Sequence, residues 1–275
     1  MTVRTVTSKD GTRIAFDRIG EGPPVIFVGG ALNDRTFPPL VELAERLAPR
    51  FTAYNYDRRG RGQSGDTSPY EVAREVEDLQ ALIAEVGGRA SVYGLSSGAV
   101  LALEAAARGA PIDRLALFEP PLDVEGGGTS EGETAQLAEL VAAGRRGQAV
   151  ELFLSGILPA EVIAEMKRSP MWSEYESMAP TLVYEGLITG DRSLVNDRLR
   201  SVTIPAVVIT GSDSDPYLRK AVEAVVDALP QGELLTVPGA HHSVSAEDLA
   251  SVLVEIFGGG RRPADPSSGR ASSRR

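Results

Sequence analysis

The chain has 275 residues, 42% hydrophobic and 24% charged, the composition of an ordinary globular protein and long enough to bury roughly 75% of its unfolded surface without staples. Its 28 basic against 38 acidic residues give a net charge of −10, which repels phosphate backbones and argues against a nucleic-acid partner. With no cysteine there are no disulfides, thiolate metal sites or cysteine nucleophile; with no apolar run near ~20 residues and no signal-peptide core in MTVRTVTSKDG, the expectation is a cytoplasmic protein with no membrane partner.

In chain order, Thr2–Thr7 and Thr12–Ile19 flank Lys9-Asp10-Gly11 and predict a β-hairpin. Pro24–Val28 is a continuous apolar run, as in a strand covered on both faces. A Gly-rich loop and a helix near Pro39–Leu47 follow, then a strand at Phe51–Tyr56 and an amphipathic helix at Pro69–Val86. Ala90–Tyr93 reads as strand, Ser97–Arg108 as helix and Arg114–Phe118 as strand. The alternation resumes with strands Ala206–Thr210 and Leu234–Val237 and helices Leu218–Leu229 and Ala246–Phe257. Such alternation predicts an α/β fold, a mostly parallel sheet flanked by helices.

Between these halves, residues 122–202 contain no convincing strand. The segment reads as a Gly-rich hinge (Glu125–Gly132) and helices near Glu133–Arg146, Gln148–Ser155, Ala160–Lys167, Ser173–Glu185 and Ser193–Arg200. Residues 1–121 and 203–257 would then form the core and 122–202 a helical cap. Residues 258–275, rich in Gly, Ser, Pro and Arg (Arg261, Arg262, Arg270, Arg274 and Arg275 against Asp265), are expected to be a disordered basic tail.

Gly94-Leu95-Ser96-Ser97-Gly98 fits G-x-S-x-G between a predicted strand and a predicted helix. A serine at such a turn sits in strained backbone, and an oxyanion beside it meets free N–H groups and the positive end of the helix dipole. With 29 glycines the pentapeptide alone arises easily by chance; its place at a strand–helix junction is the informative part. A hydroxyl nucleophile needs a base, and the chain has two histidines, the dipeptide His241-His242. Both imidazoles in one dipeptide also leave no metal-ligand spacing. There is no G-x-G-x-x-G after the first predicted parallel strand and no Gly-Lys-Ser/Thr, so no cofactor is expected.

Together the GLSSG elbow, the loop Val28-Gly29-Gly30-Ala31, the segment Asp57–Ser64 and the late histidine resemble the α/β-hydrolase superfamily, over about residues 1–257. The resemblance implies Ser96 as nucleophile and the backbone N–H groups of Ala31 and Ser97 as oxyanion hole, although many members carry His-Gly where this chain has Gly29-Gly30. It favours His242 as base, with His241 in the position of a small residue, and casts Asp57–Ser64 as a brace for the loop beside the elbow. The triad acid usually lies in a G-x-x-D loop after the strand Ala206–Thr210. Here that loop is Gly211-Ser212-Asp213-Ser214-Asp215, with Ser214 at the acid's place. A minority of members, including small lactonases of macrocyclic lactones with an SSGA-like elbow, take the acid from the end of the preceding strand, where Glu119 stands before two prolines. Glu119 is therefore the favoured acid, with Asp215 and Asp213 as alternatives, or it is a junction charge paired with an arginine such as Arg58.

Met171 and Trp172, the latter the chain's one tryptophan, are candidates for lining an apolar pocket or for the cap's own core. The expected activity is hydrolysis of a small apolar ester or lactone through an acyl-enzyme. Acyl transfer, perhydrolysis or a cofactor-free lyase or cyclase step with the same residues is the alternative, and a non-catalytic small-ligand binder a third reading. Oligomeric state is not legible.

Overall fold

The structure, a computed structural model, describes residues 3–122, 131–190, 198–240 and 242–259. The expected hairpin forms: β1 (Arg4–Thr7) and β2 (Arg13–Ile19) pair antiparallel around Gly11, whose φ of +88° a side chain would disfavour. They lead into β3 (Pro24–Val28), β4 (Thr52–Tyr56), β5 (Ala90–Leu95), β6 (Ile112–Phe118), β7 (Ala206–Asp213) and β8 (Gly232–Ala240), which pair parallel with one another. A two-residue strand, β9 (Ser243–Val244), turns back antiparallel on β8. The described residues thus form one nine-stranded sheet in the order β1-β2-β4-β3-β5-β6-β7-β8-β9.

Both faces of the central strands are buried, and the side-chain period of two divides them cleanly. Ile26, Val28, Val92, Leu115, Leu117 and Val208 face one apolar cluster, while Val25, Phe27, Tyr93, Ala116, Phe118 and Ile209 face the other. The first is closed by α2 (Val72–Glu85), α3 (Ser97–Ala107) and α9 (Pro216–Ala228), through residues such as Leu79, Val100 and Val225. The second is closed by α1 (Pro38–Leu47) and α10 (Ala246–Phe257), through Leu43, Leu47 and Leu253. This is the α/β-hydrolase architecture expected above.

Between β6 and β7 lie α4 (Glu131–Ala142), α5 (Arg146–Ser155), α6 (Ala160–Met166), α7 (Trp172–Met178) and α8 (Leu182–Thr189). They share an apolar cluster of their own that also takes in Leu32 from the loop after β3. The helix expected at Ser173–Glu185 is divided: α7 stops at Met178, a 3-10 turn covers Ala179–Thr181, and α8 continues to Thr189. Pro180 explains the break, since it lacks an N–H and its ring crowds the preceding turn. Helix α2 starts at Val72 rather than Pro69 because Glu71 is extended, carrying Tyr70 out to stack on Tyr184 of α8 at 3.7 Å. Residues 125–130 of the expected hinge, 193–197 of the last expected helix, and 260–275 of the basic tail lie outside the described residues. Among the described residues no helix is long and apolar enough to cross a membrane.

Candidate active site

Strand β5 hands directly to α3 at Ser96, which has φ 55° and ψ −124°. The flanking glycines are steric necessities. A Cβ on Gly94 would lie 2.5 Å from the Ala99 Cα, and one on Gly98 would lie 2.1 Å from the Val28 carbonyl oxygen and 2.6 Å from that of Gly29. The obstruction at Gly98 is backbone and cannot swing aside. Gly98→Ala is accordingly expected to destabilise the fold by about 3 kcal/mol, the upper end of the overpacking range, read as a fall in Tm on the order of 10 °C; an unchanged Tm would show that the elbow can widen. The Ser96 N–H donates to the Phe118 carbonyl at 2.9 Å, anchoring the turn to the end of β6. Its hydroxyl is half-buried and makes no hydrogen bond among the described residues. Such bonds often close only around substrate.

Glu119 follows β6 and is fully buried. Its N–H donates to the Ile209 carbonyl at 3.0 Å, so the last β6–β7 rung fixes its place. Three donors from the β7 end converge on Oε1: the Gly211 N–H at 2.9 Å, the Thr210 hydroxyl at 3.1 Å and the Ser214 hydroxyl. Oε2 is thereby left to His242, whose Nδ1 lies 2.5 Å away. Burial pushes the Glu119 carboxyl up, but the hydrogen bonds from His242, Ser214 and the Gly211 N–H outweigh it and hold the group below its ordinary value. A carboxylate on Nδ1 sets the tautomer in which Nε2 carries the lone pair. The imidazole sits on the turn between β8 and β9, its ring 5.6 Å from that of Phe118, with about a quarter of the side chain exposed.

The alternative acids lie elsewhere. Asp215 is exposed and caps α9, accepting from the Tyr217 N–H at 2.8 Å. Asp213 is exposed at the end of β7, beside the Ser212 hydroxyl. Nor does Glu119 pair with Arg58, which is bound to Glu75 and Glu185 instead. His241 lies outside the described residues.

Among the described residues, the non-glycine residues with positive φ are Leu32 (56°), Ser96 (55°), Glu119 (44°) and His242 (59°). Each conformation is costly for an L-residue and persists only where its surroundings over-determine it, as happens at functional sites. Leu32 adjoins Ala31, so all the strain gathers at one end of the sheet.

The loop after β3 lies against the elbow: a Cβ on Gly30 would meet the Ser96 Cβ at 3.1 Å. The loop is tied internally by the Gly30 N–H on Asn33 Oδ1 at 3.1 Å and the Asn33 N–H on the Gly30 carbonyl at 3.3 Å. From beneath, Arg58 donates to the Gly29 carbonyl (3.3 Å) and the Ser97 hydroxyl (3.4 Å), and Arg61 to the carbonyls of Gly30 (2.5 Å) and Asn33 (3.0 Å). Asp57–Ser64 does brace the loop. The backbone N–H groups of Ala31 and Ser97 have no protein acceptor among the described residues; for Ser97, at the first turn of α3, that is the ordinary state of a helix start.

Trp172 is buried in the core of the inserted helices, its indole N–H donating to Glu176 at 3.2 Å. Met171 beside it is 42% exposed. The structure does not bring either into the hydrogen-bonded group of Glu119 and His242. Sequence reasoning missed Thr210 as a donor to Glu119, and missed Asn33 and Glu185. Ser214 stands where an aspartate is usual in the resembled superfamily, and that departure is the sequence signal for its contact with the carboxylate. No group of three or more His, Asp or Glu suited to a metal is present among the described residues.

Residues 25–254 match the model of a family described as "Alpha/beta hydrolase family". An α/β hydrolase from Sphaerobacter thermophilus DSM 20745, known from its crystal structure, has 46% sequence identity and a TM-score of 0.86, covering 92% of this chain and 100% of that one. A curated relative, 2-(acetamidomethylene)succinate hydrolase of Mesorhizobium japonicum, is 29% identical over 241 residues, 82% of this chain and 84% of its own. Another, a non-heme haloperoxidase of Rhodococcus erythropolis, is 24% identical over 269 residues, 92% and 97% of the two chains.

Proposed function

From a chain that belongs to the alpha/beta hydrolase family, we propose a serine hydrolase that cleaves a small, apolar carboxylic ester or lactone, with Ser96, His242 and Glu119 as its triad. The observation that carries this reading is the buried Glu119 carboxylate on His242 Nδ1 at 2.5 Å, at the same sheet end as the strained serine. In the proposed reaction Ser96 Oγ attacks the carbonyl carbon while His242 Nε2 accepts the hydroxyl proton. Glu119 holds the tautomer and stabilises the imidazolium. The N–H groups of Ala31 and Ser97 receive the oxyanion. The carbon–oxygen bond to the leaving alkoxide breaks as His242 returns its proton to that oxygen, leaving an acyl-enzyme. Water then attacks the acyl carbon, giving one proton to His242, and the acid departs as the proton returns to Ser96. For a lactone the alcohol and acid leave as one hydroxy acid.

The inserted helices are proposed as a cap over this site, on a core made of residues 1–121 and 203–257. Trp172 contributes by filling the cap core, with substrate contact expected from the more exposed Met171. A second reading has support in the haloperoxidase relative: hydrogen peroxide taking the place of water at the acyl-enzyme would release a peracid.

Intact-mass measurement after treatment with a fluorophosphonate tests the proposal. One adduct is expected, mapping to Ser96 and absent from Ser96→Ala. An unlabelled wild type, or an adduct that survives the substitution, would remove Ser96 as the nucleophile.

A further inference from the structure

Arg58 and Arg61 are fully buried, a placement that demands compensating charge. Arg58 is met by Glu75 of α2 in a two-bond fork, at 2.7 and 2.8 Å. Among the described residues of the core, Arg61 has no such partner. Its Nη2 meets Glu185, also buried, which comes from α8 of the insertion and touches Arg58 as well at 3.1 Å. Its Nη1 holds the carbonyls of Gly30 and Asn33, and its Nε has no hydrogen-bond partner among the described residues. The guanidinium is therefore fixed at two ends, one on the cap helix and one on the loop that presents Ala31.

Helix α8 is well placed to be a fixed point. Tyr184, the residue before Glu185, stacks flat on Tyr70 and donates to Asp66 at 2.7 Å, and Tyr70 in turn donates to Glu75 at 2.9 Å. The same glutamate thus receives Arg58 and the hydroxyl of the tyrosine under α8. Seating of α8 and seating of the two arginines share one set of buried charges.

We propose that Glu185 is a positioning residue, setting through Arg61 the Gly30–Asn33 loop that offers the Ala31 N–H to the oxyanion. The role rests on the serine-hydrolase reading for its catalytic consequence, while the contact itself does not. It makes the oxyanion geometry depend on the docking of α8: with Glu185 neutral, Arg61 loses its charge partner, turns from the two carbonyls, and the loop loosens.

Hydrogen exchange measured by mass spectrometry on the full chain tests this, comparing wild type, Glu185→Gln and Arg61→Lys. The lysine keeps the charge beside Glu185 but cannot bridge two carbonyls as the planar fork does, so it guards against a glutamine variant that fails to fold. Amides of residues 29–33 are expected to exchange about tenfold faster in both variants, with β5 and α3 unchanged. Steady-state hydrolysis of a p-nitrophenyl ester should show kcat lowered about 100-fold, the cost of a displaced oxyanion donor, with KM within about threefold of wild type. Unchanged exchange at 29–33 overturns the proposal. Faster exchange with unchanged kcat overturns its catalytic part. A wild type that neither labels with fluorophosphonate nor turns over ester sinks the hydrolase reading instead, and the exchange comparison still decides whether Glu185 holds the loop.

Discussion

Ser96→Ala is expected to lower kcat for ester hydrolysis about 10⁶-fold, to the residue of catalysis that donors and binding supply without a nucleophile. The loss should fall on chemistry and not on folding. The hydroxyl makes no hydrogen bond among the described residues, and alanine at φ 55° carries the same backbone strain as serine. Tm should therefore move by no more than about 2 °C. Steady-state rates with a p-nitrophenyl ester and thermal unfolding on the same preparation decide it. Turnover within tenfold of wild type would show that Ser96 is not the nucleophile.

Glu119→Gln is expected to cost about 10⁴-fold in kcat, the scale found when a triad carboxylate becomes its amide. An amide facing Nδ1 either presents a donor to a donor or turns its oxygen away from Gly211 and Ser214. The imidazole then loses the tautomer that leaves Nε2 free to accept a proton. Asp215→Asn should stay near wild-type activity, because its carboxylate caps α9 and asparagine caps nearly as well. The reverse result, loss with Asp215→Asn and retention with Glu119→Gln, would reassign the acid. The pH dependence has a definite sign. Glu119 is held below its ordinary value in the fold, so its contribution to stability is complete above that value and disappears as pH falls through the lowered one. Urea unfolding should find the gap between wild type and Glu119→Gln wide at pH 7 and narrowing once pH drops below about 4. A gap independent of pH would mean that the carboxylate is not ionised at neutral pH.

Rules that act over a few residues determined much of this protein. The period-two and period-3.6 patterns located the strands of the core and the helices that cover them, because burial on one or both faces has to be written into neighbouring residues. Gly94 and Gly98 announced the elbow because no Cβ fits beside Ala99 or Val28, and a serine between them could be read as a strained turn. One dipeptide held both histidines, so the choice of imidazole was already narrow. The break at Pro180 is equally local, since a proline inside a helical pattern interrupts it wherever it stands. What only the tertiary structure decided lies across long separations. Glu119 and His242 are 123 residues apart, Glu185 and Arg61 are 124; the family resemblance favours the first pairing over its alternatives without placing the two side chains together, and no local pattern points to the second. Glu119, Asp213 and Asp215 are equivalent as carboxylates; the register of β6 against β7 buries the first among three donors and leaves the other two in solvent. A carboxylate's role is set by what surrounds it, and here those surroundings exist only once the strands have paired.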